Sequence, residues 1–108
     1  MILHLALFTW RDEVTDADVS ELTTRLTAMA AGIPALRRYD CGANLRLRPS
    51  AADYAVAAVV DDADGLAAYL DSEAHRAVYD ELLGRMIAER SAAQLEFDAA
   101  GRAPGAEE

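Results

Sequence analysis

The 108-residue chain has little of several residue types on which whole protein classes depend. Cys41 is the only cysteine, so an internal disulfide is impossible and a reducing compartment suits the chain. Its 10 basic residues face 19 acidic ones, a formal net charge of −9, which argues against nucleic acid and anionic membranes as partners. No apolar run approaches the roughly 20 residues of a transmembrane helix. Because no targeting segment is visible either, we expect a cytoplasmic protein.

Apolar residues are plentiful enough for one folded domain. They make up 53% of the chain, although many of them are alanine, and 108 residues fit a single domain. Residues 1–98 carry the periodic apolar patterns and show no internal repeat. Residues 99–108 are rich in alanine, glycine and acid, and we predict that they form a disordered tail.

Alternation and helical spacing predict seven elements in the order β-α-β-β-α-α-β. The first strand runs from Ile2 to Trp10, and the first helix lies between Thr15 as N-cap and Gly32 as its stop. The other predicted elements are strands at 35–45, 54–60 and 91–97, a short helix at 62–70 and a longer helix at 72–87. This order is the split βαβ pattern of a ferredoxin-like α+β fold with a four-stranded antiparallel sheet.

One face of the predicted sheet is apolar but has no helix to cover it. Its residues are Leu3, Leu5, Leu7, Ala55, Ala57 and Val59. An apolar sheet face of this size is not left in water, and the simplest cover is a second copy of the same sheet. We therefore predict a homodimer.

Histidine is scarce too, and the two histidines fall at chemically suggestive positions. His4 lies inside the apolar first strand, and His75 opens a helical segment six residues after Tyr69. A lone strand histidine is most simply explained as a hydrogen-bonded core residue. Imidazole nevertheless titrates near neutral pH and suits proton transfer, while a phenol can steady an enolate oxygen. We expect both histidines to point into one space between the sheet and the helices.

Further sequence features match a known family. They are the early His4, a helix ending in Ile33-Pro34, a strand containing Gly42-x-Asn44, and the segments Tyr69-Leu70 and Ala74-His75. Together these residues resemble the stress-responsive A/B barrel domain family over residues 2–97. The family's usual proline before the alanine is Glu73 here, which a helix start tolerates. The resemblance implies a dimeric α+β barrel for residues 1–98.

The best understood members resemble a plant polyketide cyclase, which closes a poly-β-ketone by aldol condensation without metal or organic cofactor. By this resemblance His75 and Tyr69 are the catalytic pair and His4 lines the same pocket. Two polar pocket positions of the plant enzyme are Leu26 and Val56 here, so the substrate is less certain than the reaction type. The pocket wall that we predict consists of Phe8, Leu22, Leu26, Met29, Tyr54 and Val56. A histidine base of ordinary pKa predicts a limb in the pH–rate profile at about 6 to 7.

Two other functions compete with a cofactor-free cyclase acting on a polyketide-like or other dicarbonyl substrate. One is a non-catalytic dimer that binds a small molecule or takes part in a stress response. The other is a cofactorless monooxygenase, which Trp10 and the other aromatic residues would favour only if they lined the pocket. Two histidines do not make up the ligand set of a known metal site, so we expect no metal and no cofactor.

Overall fold

The computed structural model describes residues 1–98, so the predicted tail at 99–108 lies outside the described residues. The elements are β1 (Ile2–Trp10), α1 (Asp16–Ala31), β2 (Arg38–Ala43), β3 (Tyr54–Val60), α2 (Ala63–Leu70), α3 (Glu73–Val78), a π-helical turn (Tyr79–Leu83), α4 (Gly84–Met86) and β4 (Ile87–Glu96). The four strands form one antiparallel sheet in the order β2-β3-β1-β4. The ferredoxin-like α+β fold expected from the sequence is therefore present.

Local sequence signals explain most element boundaries. Thr15 caps α1 by accepting a hydrogen bond from the Asp18 amide, and the Asp18 carboxylate accepts one from the Thr15 amide in return. Asp62 caps α2 in the same way, since its carboxylate accepts from the Gly65 amide at 2.8 Å. β1 and β3 have the predicted bounds because both are fully paired along their length.

Three predicted elements have other bounds in the structure. The second strand was expected at 35–45, but β2 is shorter, and at its start Leu36 donates its amide to Ile33 in a turn. The last helix was expected to reach Ile87, with a strand from 91. Instead Ile87 begins β4, because β1 extends to Trp10 and pairs with Ile87 and, after a bulge, with Glu89 and the residues that follow. The long antiparallel pairing of β1 with β4 overrides the local helical pattern.

The helices cover one face of the sheet, called the inner face below. The inner-facing residues of β3 are all buried: Tyr54, Val56, Ala58 and Val60. Leu22, Leu26 and Met29 of α1 pack onto this face, as predicted. Leu7, on the opposite or outer face, is 42% exposed. Within residues 1–98, none of the helices has the length and apolarity needed to cross a bilayer.

Candidate active site

A cavity of about 50 Å³ lies between the inner face and the helices. Its apolar wall is made by Ala6, Phe8, Leu26, Val56, Leu70 and Leu83. Its polar wall is made by His4, Tyr39, Tyr69, His75, Tyr79 and Arg90. Of these twelve residues Tyr79 and Arg90 are the exposed ones, so the cavity faces solvent between them. An apolar pocket with a few convergent polar groups is the usual form of a small-molecule site.

The structure brings the three predicted catalytic residues to this wall, together with Phe8, Leu26 and Val56. Leu22, Met29 and Tyr54 of the predicted lining are not part of the cavity wall. Leu22 and Met29 flank Leu26 on α1 and are buried against other core residues. The ring of Tyr54 is fully buried, and its hydroxyl lies 2.6 Å from the Thr23 hydroxyl rather than at the cavity.

Tyr69 is the centre of an aromatic cluster at the polar wall. Its ring meets the His75 ring edge-on, with centroids 5.1 Å apart. The His4 ring lies 6.3 Å away and the Tyr39 ring 6.0 Å away, both also edge-on. Because Tyr69 is only 3% exposed, its ring is held in these contacts with both imidazoles.

A serine hydroxyl fixes the spacing of Tyr69 and His75. Ser72 caps α3 by accepting a hydrogen bond from the His75 amide at 3.1 Å. The same hydroxyl donates to the Tyr69 carbonyl at 2.8 Å. One side chain therefore ties the end of α2 to the start of α3, and the two ring-bearing residues are held on adjoining helix ends.

His4 is oriented from the neighbouring strand. Gln94 of β4 lies directly opposite it, and its Nε2 atom donates to His4 Nδ1 at 2.9 Å. With Nδ1 acting as acceptor, the proton of the neutral ring sits on Nε2. His4 thus offers the cavity a hydrogen-bond donor rather than a second free base.

Burial keeps both imidazoles neutral. Desolvation lowers the pKa of His4 below its usual 6.5, and the positive charge of Arg90 lowers it further. Desolvation is also the main cause that lowers the pKa of His75, followed by His4 and Arg90, while Asp71 and the Leu70 backbone oppose the change. A neutral His75 at physiological pH is able to accept a proton.

Burial acts on the two phenols in the opposite direction. It raises the pKa of Tyr39 and of Tyr69 above the usual 10, because a phenolate is costly in apolar surroundings. The Tyr39 hydroxyl oxygen is buried and makes no hydrogen bond of ordinary geometry within residues 1–98, but the nearby Tyr69 hydroxyl also helps to raise the pKa of Tyr39. Both phenols therefore remain protonated, and their hydroxyls lie close together at the cavity wall.

A π-helical turn shapes the mouth of the cavity. It spans Tyr79–Leu83, and both of its end residues belong to the wall. Gly84 follows it, and a β-carbon there would lie 2.9 Å from the Tyr79 carbonyl and 3.0 Å from the Tyr79 ring. Glycine is needed at this position so that the Tyr79 ring can lie against the helix backbone.

A family model for the stress-responsive A/B barrel domain matches residues 2–97. The chain belongs to this family. An uncharacterised protein of Streptomyces coelicolor is 39% identical over 79 residues, which are 71% of this chain and 81% of that protein. A solved structure from Thermobifida fusca, described as a dimeric ferredoxin-like protein of unknown function, is 41% identical with a TM-score of 0.81. That match covers 89% of this chain and 90% of the other.

More distant solved structures are similar in fold alone. A hydroxynitrile lyase from Passiflora edulis superposes with a TM-score of 0.77 at 8% identity, covering 91% of this chain and 94% of its own. A structure described as an antibiotic biosynthesis monooxygenase superposes with a TM-score of 0.68 at 9% identity, covering 91% and 99%. In this A/B barrel Trp10 stacks on Phe8 with ring centroids 5.8 Å apart and is not part of the cavity wall. Of the aromatic residues whose presence in the pocket would favour a monooxygenase, Trp10 is therefore absent from the wall, whereas other aromatic residues are part of it, namely Phe8, Tyr39, Tyr69 and Tyr79.

Sequence reasoning assigned no role at the site to four residues, namely Tyr39, Ser72, Gln94 and Arg90. Strand alternation could have found Gln94 and Arg90, because they pair with His4 and Phe8 once β4 is in register with β1. The predicted start of that strand at residue 91 hid Arg90.

No group of three or more His, Cys, Asp or Glu side chains within residues 1–98 is placed to hold a metal ion.

Proposed function

We propose that this A/B barrel protein is a cofactor-independent enolate-forming enzyme that acts on a small 1,3-dicarbonyl unit, in the manner of a polyketide cyclase. The observation that carries the proposal is the edge-on contact of Tyr69 with His75, with His4 behind it, at the wall of one apolar cavity. A base and two hydrogen-bond donors at one small site are what enolate chemistry requires.

In the proposed reaction, His75 removes a proton from the carbon between two carbonyl groups. The electron pair of that C–H bond forms the enolate, whose oxygen accepts a hydrogen bond from the Tyr69 hydroxyl. In an aldol closure the enolate carbon then bonds to another carbonyl carbon of the same molecule. The resulting alkoxide takes the proton back from the His75 imidazolium, so the enzyme ends in its starting state.

The size of the cavity narrows the substrate. About 50 Å³ is three to five times the roughly 10–15 Å³ that one water requires. The cavity therefore holds the reacting dicarbonyl unit, and any longer chain extends past Tyr79 and Arg90 into solvent. This favours a small substrate, or the end of a longer one, over an enclosed polyketide.

The enzyme is proposed to work as a homodimer joined through the outer face. Leu7 and Leu95 on this face are 42% and 47% exposed, and Leu3, Leu5 and Val59 are only partly covered. An apolar surface of this kind favours a second copy of the sheet as its cover. The description of the Thermobifida fusca relative as dimeric supports this assembly.

The proposal is tested by deuterium exchange at the methylene group of ethyl acetoacetate in heavy water, followed by proton NMR. We expect the wild type to accelerate exchange, His75→Ala to lose about 10²–10⁴ of the acceleration, and Tyr69→Phe to lose about tenfold. Arg76→Ala is the control, since Arg76 is the exposed next residue on α3. Wild-type protein without acceleration, or full acceleration by His75→Ala, contradicts the proposal and favours a non-catalytic binding protein.

A further inference from the structure

Resting on the enolate chemistry proposed above, we infer that the substrate is an anion, a β-keto acid whose carboxylate is held by Arg90. The structure offers one charge at the cavity wall, and it is positive. The chain has a net charge of −9, yet none of the acidic residues within residues 1–98 belongs to the twelve wall positions.

The position of Arg90 follows from the strand register. Arg90 pairs with Phe8 and Gln94 pairs with His4, so both β4 side chains lie on the inner face. The bulge in the β1–β4 pairing falls after this point, between Thr9 and Trp10, and does not disturb it. Arg90 therefore stands at the solvent side of the same cavity in which His4 lies deeper.

The guanidinium of Arg90 has no ion-pair partner in the described part of the chain. The salt bridges found there employ other arginines, namely Arg25, Arg37, Arg38 and Arg46. Its charge instead reaches the two histidines, where it helps to lower both pKa values. An unpaired guanidinium at a cavity mouth is a fork of donors that matches a carboxylate.

The remaining wall fits the rest of a β-keto acid. With the carboxylate on Arg90, the ketone oxygen is directed inward to the Tyr69 and Tyr39 hydroxyls, which lie close together at the cavity wall. The methylene then lies between these two ends, on the side of His75. Its acidity comes from the ketone, whose oxygen carries the enolate charge, while Arg90 offsets the charge of the carboxylate. Arg90 is a substrate-binding residue in this arrangement, and it selects which dicarbonyl compounds enter.

Binding of an anion at Arg90 should also change the pKa of His75. The charged and titratable groups around His75 are His4 on β1, Arg90 on β4, and Tyr69 and Asp71 at the end of α2. A carboxylate on Arg90 cancels the positive charge that disfavours the imidazolium. The pKa of His75 should therefore rise when the anionic ligand is bound, which makes His75 a stronger base only when the correct ligand is present.

Two probes of equal size separate charge from shape. Acetoacetate and pentane-2,4-dione differ in that one end is a carboxylate in the first and a methyl ketone in the second. Their binding is followed by NMR through the ring proton signals of His4 and His75. We expect acetoacetate to bind the wild type about tenfold more tightly, since a charge-assisted contact is available to it alone. It should also raise the pKa of His75, whereas pentane-2,4-dione should not.

Variants assign the preference to Arg90. Arg90→Gln is expected to bind both probes equally, and Arg90→Lys to keep part of the preference because it keeps the charge. Arg11→Gln is the control of equal charge change, since Arg11 is exposed in the turn after β1 and lies outside the cavity wall. Inorganic phosphate should bind more weakly than acetoacetate, because it offers no ketone to the tyrosines.

Equal binding of the two probes by the wild type, binding of neither, or a preference that survives in Arg90→Gln would overturn the inference. Phosphate that binds as tightly as acetoacetate would overturn the assignment to a carboxylate. These outcomes are independent of the proposed reaction, because binding is measured without turnover. If the protein does not accelerate deuterium exchange but still prefers acetoacetate, the proposed enzymatic function is wrong and the protein is an anion-binding protein.

Discussion

The two faces of the sheet are built from the same strands but differ in burial and in polar content. On the inner face, β1 contributes His4, Ala6 and Phe8, each 4–6% exposed under the helices. On the outer face the alternating residues of β1 are Leu3, Leu5 and Leu7, with more of their surface free. A one-residue alternation along one strand thus separates a candidate active site from a candidate interface.

The difference lies in polar content as much as in exposure. Four of the polar groups with burial-shifted pKa values line the inner cavity, namely His4, Tyr39, Tyr69 and His75. The central strands of the outer face offer alanine, valine and leucine up to Leu7, followed by Thr9 at the end of β1. Charges are found toward the sheet edges, as the exposed pair Arg38–Asp40 on β2 and as Glu89 on β4. The inner face suits chemistry, whereas the outer face suits packing against another apolar surface.

The largest expected effect comes from placing one charge on either face at adjacent positions. Ala6→Asp should unfold the protein, because an unpaired carboxylate beneath the helices costs several kcal/mol of the roughly 5–15 kcal/mol that stabilise a domain. Leu5→Asp should leave a folded chain and break the dimer. Circular dichroism and sedimentation check both, with the folded monomer at 11.6 kDa. A folded Ala6→Asp or a dimeric Leu5→Asp would show that the two faces are not divided in this way.

Most of this division could be predicted from sequence, because β1 and β3 alternate without interruption. Thr15, Asp62 and Ser72 marked the helix starts, since each offers an oxygen to an unpaired backbone amide. The start of β4 could not be predicted in the same way. The helical apolar pattern continues to Ile87, and only the pairing of Ile87 with Trp10 at the far end of β1 shows that the strand has already begun there.

The candidate site was predictable only in part, for a related reason. The two histidines and Tyr69 stood out by rarity and by resemblance to the family. The partners that orient them, Ser72 and Gln94, are common surface residue types whose role depends on which strand or helix end lies opposite. Tyr39 belongs to the same group, because only tertiary packing shows that its hydroxyl is buried at the cavity.

The next effect concerns pH and involves only the inner face. kcat/KM, which reports the ligand-free enzyme, should fall about tenfold per pH unit below the pKa of His75, and this limb should lie below pH 6.5, because burial lowers that pKa. Stability should also fall on acidification from pH 6.5. The unfolded chain takes up protons on both histidines there, whereas the folded protein does so only at lower pH.

Urea unfolding at pH 7.5 and 5.5 measures the stability change, in a range where most carboxylates stay ionised. A double variant, His4→Gln with His75→Gln, should flatten the dependence. A rate limb above pH 6.5, or stability that rises on acidification, would mean that the inner face does not hold the imidazoles neutral.

The smallest expected effect on stability distinguishes a residue that only stabilises a helix from one that also positions the catalytic pair. Ser72→Ala and Asp62→Ala each remove one helix cap and should each cost about 1 kcal/mol in urea unfolding. Only Ser72 also joins the Tyr69 carbonyl to the His75 amide. Ser72→Ala should therefore slow deuterium exchange by about 10- to 100-fold, since a displacement of about 1 Å at reacting groups can cost about 10²-fold. Asp62→Ala should leave exchange unchanged, and Ser72→Thr should restore it, because threonine keeps the hydroxyl. Equal exchange rates in the two alanine variants would show that Ser72 serves α3 alone and that the inner face positions its catalytic pair by packing.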